Sequence, residues 1–337
     1  MKAIGFKTSL PLTENDSFIA FETEKPQAKG RDLLVRIKAI SVNPVDFKIR
    51  QSAAKDTVLA EPKIIGWDAV GIVEETGSDV MLFKKGDAVY YAGDLTRAGS
   101  NAEYPLVDER IVGRKPQSLS DAEAAAMPLT TLTAWEILFD RIRVNPEKDK
   151  GKTVLIIGGA GGVGSIAIQI AKHIAGLKVI ATASRPESVD WCRQQGADVV
   201  VNHQNLVEEV RKAGFQQVDF ILDFVDTSLY WDAMAELIKP QGHIASITGA
   251  SSPVVLNKIK NKSVSFSWEL MYTRSMFQTE DMQEQHEILN KVAALLDAGT
   301  LKTTLTTTVN GFTVENLKEL HRLQESGKTI GKNVMVF

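Results

Sequence analysis

Two patterns of apolar and polar residues divide this chain. From Thr153 onward, short apolar runs alternate with amphipathic stretches. Thr153-Val154-Leu155-Ile156-Ile157 is an unbroken run rich in β-branched residues, the signature of a strand buried on both faces of a parallel sheet. Val163 to Ala175 then carries apolar residues at helical spacing and stops at Gly176. The rhythm continues with strands at Lys178–Thr182, Val199–Val201, Val218–Leu222 and His243–Ile247. Between them lie a helix opened by Pro186 and closed by Gly196, a second at Leu206–Ala213 and a third at Ser228–Ile238. Such alternation predicts right-handed crossovers and an α/β fold with a doubly wound parallel sheet.

The earlier part has a different grammar. Alternating segments at Leu33–Ile40, Ala69–Glu74 and Ala88–Tyr91, punctuated by Gly77-Ser78 and Lys85-Gly86-Asp87, predict a coiled antiparallel sheet with tight turns. Met1 to Lys7 reads as a first strand, and helices are expected at Met282–Asp297 and Val314–Glu325. The expected organisation is a discontinuous outer domain, 1–127 and 269–337, around an inserted nucleotide-binding domain, 128–268.

Composition narrows the function. With 337 residues and 44% hydrophobic content, the chain can bury a large core. A net charge of -3 and no Lys/Arg cluster interleaved with aromatics argue against nucleic acid as a partner. The longest apolar stretch, Thr153 to Ala183, is interrupted by glycines, Gln169, Lys172, His173 and Lys178, so a membrane span is not expected. The first residues lack the apolar core of a secretion signal. Cys192 is the single cysteine, which excludes internal disulfides and multi-thiolate metal sites. A reducing cytoplasm is the expected compartment.

Gly159-Ala160-Gly161-Gly162-Val163-Gly164 fits Gly-x-Gly-x-x-Gly directly after a predicted strand and at the start of a predicted helix. In that context the glycines allow a tight turn and close backbone approach, and a pyrophosphate can sit on free amides at the positive end of the helix. An NAD site usually offers a carboxylate at the end of the second strand. No Asp or Glu occurs between Gly158 and Arg185, and that strand ends instead in Thr182-Ala183-Ser184-Arg185. A hydroxyl and a guanidinium suit a 2′-phosphate, so the expected cofactor is NADPH.

Seven separated motifs in order then spell out a family. They are Asn43-Pro44-Val45-Asp46, Gly66 to Val73, Phe83 to Val89, Gly99 to Tyr104, Pro128 to Ala134, the glycine turn, and Gly331-Lys332. The chain resembles, over essentially its whole length, the medium-chain dehydrogenase/reductase superfamily in its zinc-free quinone oxidoreductase branch, which includes proteins called zinc-type alcohol dehydrogenase-like. The resemblance implies a GroES-like β-barrel domain built from both chain ends and a Rossmann domain between them. It implies Asn43 and Thr133 near nicotinamide and substrate, and Lys332 and Thr248 at the cofactor. Ser184, Arg185 and His203 would surround the adenosine 2′-phosphate, with Gly159, Gly161, Gly162, Val163 and Gly164 at the pyrophosphate. A homodimer is implied as well.

Zinc-dependent relatives place a cysteine, a histidine and a second cysteine where this chain has Asn43, Trp67 and Leu129, and none of these is a normal zinc ligand. Without a Lewis acid, hydride delivery to a quinone or to the β-carbon of an enone is easier than reduction of a plain ketone, because the resulting oxyanion is delocalised and hydrogen-bond donors can hold it. Asn43 and Thr133 are the expected donors. Lys48, where many quinone reductases carry a tyrosine, is a candidate proton donor. Aromatic and Met residues in Trp268 to Phe277 fit either the wall of a pocket for a small apolar or planar substrate or a domain or dimer interface. The competing expectations are an NADPH-binding sensor without turnover and a zinc-type alcohol dehydrogenase.

Overall fold

The computed structural model describes residues 1–337. The chain forms two compact units, Met1–Leu129 with Tyr272–Phe337, and Thr130–Met271. These boundaries lie two to three residues from those expected.

Sixteen strands, numbered here in chain order, carry both units. In the outer unit, β1 (Lys2–Phe6), β2 (Ile19–Glu22) and β4 (Lys63–Ile64) form a small antiparallel sheet in the order β2-β1-β4. The larger sheet is centred on β3 (Asp32–Ser41), which pairs antiparallel with β5 (Ala69–Thr76), with β7 (Leu106–Asp108) and with the C-terminal β16 (Lys332–Val336). Strands β6 (Ala88–Tyr91), β8 (Val112–Arg114) and β15 (Leu305–Asn310) extend it.

Register in this sheet decides what meets at its edge. Val334 faces Ser41 across β16 and β3, and Ile40 faces Ala69 across β3 and β5. Lys332 is therefore carried to the end of β3 where Val42 and Asn43 follow, and Asp68 arrives there from the start of β5. The backbone continues the pairing beyond the named strands, since the Ser41 N–H donates to the Asp68 carbonyl at 3.1 Å and the Val42 N–H to the Asn333 carbonyl at 3.4 Å.

In the second unit six parallel strands run in the order β11-β10-β9-β12-β13-β14. They are β9 (Thr153–Ile157), β10 (Lys178–Thr182), β11 (Val199–Val201), β12 (Val218–Asp223), β13 (Ile238–Ser246) and β14 (Ser265–Trp268). Chain order reverses between β9 and β12, so the crevice outside their carboxyl ends is the switch point where such sheets bind ligands. All five residues of β9 are buried, as its unbroken apolar run predicts. Core packing against the helices is led by Leu155, Ile180, Ile221, Trp231 and Met234.

Several elements depart from the sequence reading. β14 is a sixth strand that the pattern did not single out, because Ser265-Phe266-Ser267-Trp268 is short and sits at the sheet edge. The helix expected at Val163–Ala175 is α-helical over Gly162–Gln169 and widens into a π-helical turn at Ile170–Ile174. Two nine-residue helices went unpredicted, along with three short ones at Asp121–Ala125, Asn257–Lys260 and Thr273–Met276. One of the two is Pro44–Ser52, which Pro44 opens at a position where a missing N–H costs nothing, and the other is Pro128–Glu136.

Candidate functional site

The glycine turn closes on itself through its neighbours. Gly158, at φ +87°, leaves β9, and its N–H donates to the buried Thr182 hydroxyl at 2.9 Å at the end of β10. A Cβ at Gly164 would stand 2.2 Å from the Gly158 carbonyl oxygen and 2.7 Å from that of Gly159, so no other residue fits without moving backbone. A Cβ at Gly161 would meet only the Gly158 oxygen, at 3.7 Å, which leaves room beside it. Gly161 is the N-cap of the helix Gly162–Gln169 and supplies no side-chain cap, so the first-turn N–H groups are free for an anion.

At the end of β10, Ser184 is exposed and Arg185 is half-buried at the cap of the helix Pro186–Gln194. The Arg185 guanidinium stands 3.3 Å from the Glu187 carboxylate in the first turn of that helix. His203 follows β11 and borders a groove that Leu206, Leu229, Tyr230 and Ala233 line. Thr248 follows β13; its N–H donates to the Ser246 hydroxyl at 3.2 Å and its carbonyl accepts from the Thr227 hydroxyl at 2.8 Å.

The residue that sequence reasoning missed here is Asp223. It ends β12 beside the switch point and accepts from the Val225 N–H at 3.0 Å and from the Ser246 and Thr227 hydroxyls at 3.0 and 3.2 Å. Burial pushes its carboxyl above the usual range despite these bonds. An acidic residue directly after the apolar stretch Phe220-Ile221-Leu222 was the available signal.

The outer unit holds a second polar centre, made of side chains. The Asn43 amide nitrogen donates to Asp68 Oδ2 at 2.8 Å, and Lys332 Nζ donates to the same oxygen at 3.0 Å. Lys332 Nζ also donates to Asn43 Oδ1 and, at 3.1 Å, to the Val42 carbonyl. Asp68 Oδ1 accepts from the Leu129 N–H at 2.8 Å. All of these groups are buried, as is Asp46, whose Oδ2 accepts the Asn43 N–H at the start of the helix Pro44–Ser52. Lys332, expected at the cofactor, has its three N–H donors on Asn43, Asp68 and Val42.

Burial dominates the electrostatics. It pushes the Asp46 carboxyl up to about 7, against the opposing pull of the Asn43 N–H and the Lys332 ammonium, and the nearby Asp68 charge pushes the same way. Asp68 is raised by burial too, with Lys332 and Asn43 pulling it down. The Tyr272 hydroxyl is buried without a hydrogen-bond partner, and burial with the Asp46 and Asp68 charges holds its pKa well above the usual value.

Of the remaining expected residues, Lys48 lies on the exposed face of its helix and Thr133 is buried in the helix Pro128–Glu136. Within Trp268 to Phe277, Trp268 and Phe277 are exposed while Met271 and Tyr272 are buried.

The donor set does not suit zinc. Trp67 donates its indole N–H to the Asp94 carbonyl at 3.1 Å, Leu129 offers no side-chain donor atom, and the Asn43 oxygen is taken by an ammonium. No group of three or more His, Cys, Asp or Glu side chains could hold a metal ion elsewhere. No helix is long and apolar enough to cross a membrane.

Comparison with known proteins supplies the lineage. Residues 29–117 match the alcohol dehydrogenase GroES-like domain and residues 162–291 match the zinc-binding dehydrogenase domain. A zinc-type alcohol dehydrogenase-like protein of Staphylococcus aureus is 45% identical over 338 residues, 99% of each chain. The crystal structure of a candidate zinc-dependent alcohol dehydrogenase of Rhizobium etli superposes with a TM-score of 0.95 at 47% identity, covering 100% of this chain and 98% of that one. An NADPH-dependent alkenal/one oxidoreductase of Arabidopsis thaliana is 34% identical over 236 residues, 68% of this chain and 58% of that protein. With a GroES-like outer unit, a Rossmann unit and relatives matched from end to end, the chain belongs to the medium-chain dehydrogenase/reductase superfamily of oxidoreductases, among its zinc-type alcohol dehydrogenase-like proteins.

Proposed function

We propose that this chain is an NADPH-dependent reductase of quinones or α,β-unsaturated carbonyl compounds that works without zinc, as a cytoplasmic homodimer. The observation that carries the reading is the donor set around Asn43, where a lysine ammonium and a carboxamide stand in a position that offers no set of metal ligands. The name of the Arabidopsis relative supports both the cofactor and the substrate class.

When bound, NADPH supplies the hydride. Its pyrophosphate would lie on the backbone amides from Gly162 to Gly164, where the room at Gly161 and the uncapped helix start suit an anion. Ser184, Arg185 and His203 would hold the 2′-phosphate, because the strand end presents a hydroxyl and a guanidinium with no carboxylate before Arg185.

Only one of the two N–H donors on the Asn43 amide has an acceptor in the protein, Asp68 Oδ2. A buried donor left unpaired costs about 1–3 kcal/mol, and a carbonyl oxygen that gains charge as it becomes an enolate is the acceptor that would recover this. Lys48 is exposed and would return the proton to the enolate carbon.

The test is NADPH oxidation by purified, chelator-treated protein with a small quinone and a short enone. Retained turnover is the expected result. Complete loss on metal removal would overturn the zinc-free reading, and tight NADPH binding with no turnover across quinones, enones and aldehydes would overturn the enzymatic one.

A further inference from the structure

We infer that Lys332 and Asp68 are positioning residues that lock the Asn43 carboxamide in one of its two orientations, so that its single unspent N–H faces the reacting carbonyl. The inference rests on the reading of Asn43 as a donor to substrate.

The argument is one of counting donors and acceptors. A carboxamide has nearly the same shape when its oxygen and nitrogen are exchanged, so its orientation is fixed only by partners of unequal character. Here the partners are as unequal as side chains allow. Lys332 can only donate, and its three N–H groups have three acceptors: the Val42 carbonyl, Asn43 Oδ1 and Asp68 Oδ2. Ionised Asp68 can only accept, and it takes the Leu129 N–H on one oxygen and both Asn43 Nδ2 and Lys332 Nζ on the other.

Asn43, Asp68 and Lys332 thus close a triangle. Rotating the amide would set its N–H groups against an ammonium and its oxygen against a carboxylate, so both contacts would turn repulsive together. The backbone is fixed at the same point, because the Asn43 N–H is held by Asp46 Oδ2.

Stability alone does not explain such a pair. Both side chains are almost wholly buried, and a buried ion pair is often no more stable than apolar residues of the same volume. What apolar residues could not supply is the choice between the two amide orientations. The sequence separation is also telling, since Lys332 lies 289 residues from Asn43 and Asp68 lies 25 from it, so the sheet register described above is what delivers both to one amide.

Two measurements test the inference. The first uses the wild-type protein alone: the Asn43 side-chain NH2 signals in a 15N-correlated NMR spectrum, identified by their loss in Asn43→Ala. One proton is expected to be exchange-protected and well separated from the other, while a rapidly exchanging, averaged pair would overturn the clamp. The second is a kinetic cycle with an enone and NADPH. The double variant Lys332→Met/Asp68→Leu, which removes both charges, is expected to lose about a hundredfold in kcat with the KM for NADPH nearly unchanged. In an Asn43→Ala background the same double change is expected to cost less than about twofold further, since residues acting through one another are not additive. Losses that simply add, or an undiminished kcat in the double variant, would overturn the positioning role. Absence of any enone or quinone turnover in the wild type would instead overturn the proposed function, and the NMR result would still decide the clamp.

Discussion

The glycine turn and the Asn43 cluster are built in opposite ways. The turn is a contiguous stretch, Gly158 to Gly164, whose chemistry is backbone: free amides, a helix start and the absence of side chains where side chains would collide. The cluster draws Asn43, Asp46, Asp68 and Lys332 from three separate segments, and its chemistry is entirely side chain: two carboxylates, an ammonium and an amide, all buried. A backbone site offers partial charges that cost little to keep when empty. A buried ionic site must balance its charges at all times, so damage to it should fall on folding as well as on function.

The sharpest way to break this contrast is to remove the ammonium. Lys332→Met leaves Asp68 buried without its partner, and the expected loss is about 3–5 kcal/mol of stability, read as a shift of the denaturant midpoint. Adding Asp68→Leu should restore most of that stability, because the uncompensated charge goes with it. If Lys332→Met costs less than about 1 kcal/mol, within the usual range for an exposed ion pair, the cluster is no more demanding than the surface and the contrast fails.

A second, smaller effect follows from Asp46. Its folded pKa, pushed up to about 7, lies above the unfolded value, so its contribution to stability is fully present at acid pH and is lost as pH rises through about 7. Between about pH 4 and 7 the wild-type protein should therefore lose up to ~1.4 kcal/mol per pH unit on this account, and the loss should level off above that window. Asp46→Asn should remove that slope, leaving the difference between the two stability profiles as its signature. An unchanged profile would mean that Asp46 is ionised in the folded state throughout. The Rossmann turn has no ionisable group of its own and should contribute nothing to either curve.

The same contrast explains what could be read from the residues. The turn was legible because strand, glycines and helix follow one another within a few residues, and the unbroken run Thr153–Ile157 already implied a parallel sheet. Lys332 could be read only as one more residue near the cofactor. Its side-chain partners in the protein depend on β16 pairing with β3 in a register that brings Val334 opposite Ser41, a long-range fact with no local trace. Asp46 and Asp68 were visible as carboxylates beside a family motif, but their burial comes from the packing of the whole outer unit. The helix Pro44–Ser52 was missed because Asn43-Pro44 reads equally well as a turn, and only the Asp46 side chain reaching back to the Asn43 N–H settles it as a helix start.

The smallest expected effect concerns Arg185, the charged side chain assigned to the 2′-phosphate. Arg185 is paired with Glu187 at 3.3 Å, and both side chains are substantially exposed, 40% and 56%. An exposed pair of this kind is worth at most about 1 kcal/mol, so the guanidinium can leave it for a doubly charged phosphate at little cost. Arg185→Ala should therefore weaken NADPH binding about tenfold, or about 1.4 kcal/mol, and leave NADH binding nearly unchanged. Fluorescence titration of both cofactors at one fixed ionic strength reads the ratio directly. Because the side chain is half outside the fold, the melting temperature should not move, in contrast to Lys332→Met. Equal losses for NADPH and NADH would take the 2′-phosphate away from Arg185 and return it to Ser184 and His203, so the strand end would no longer discriminate by charge.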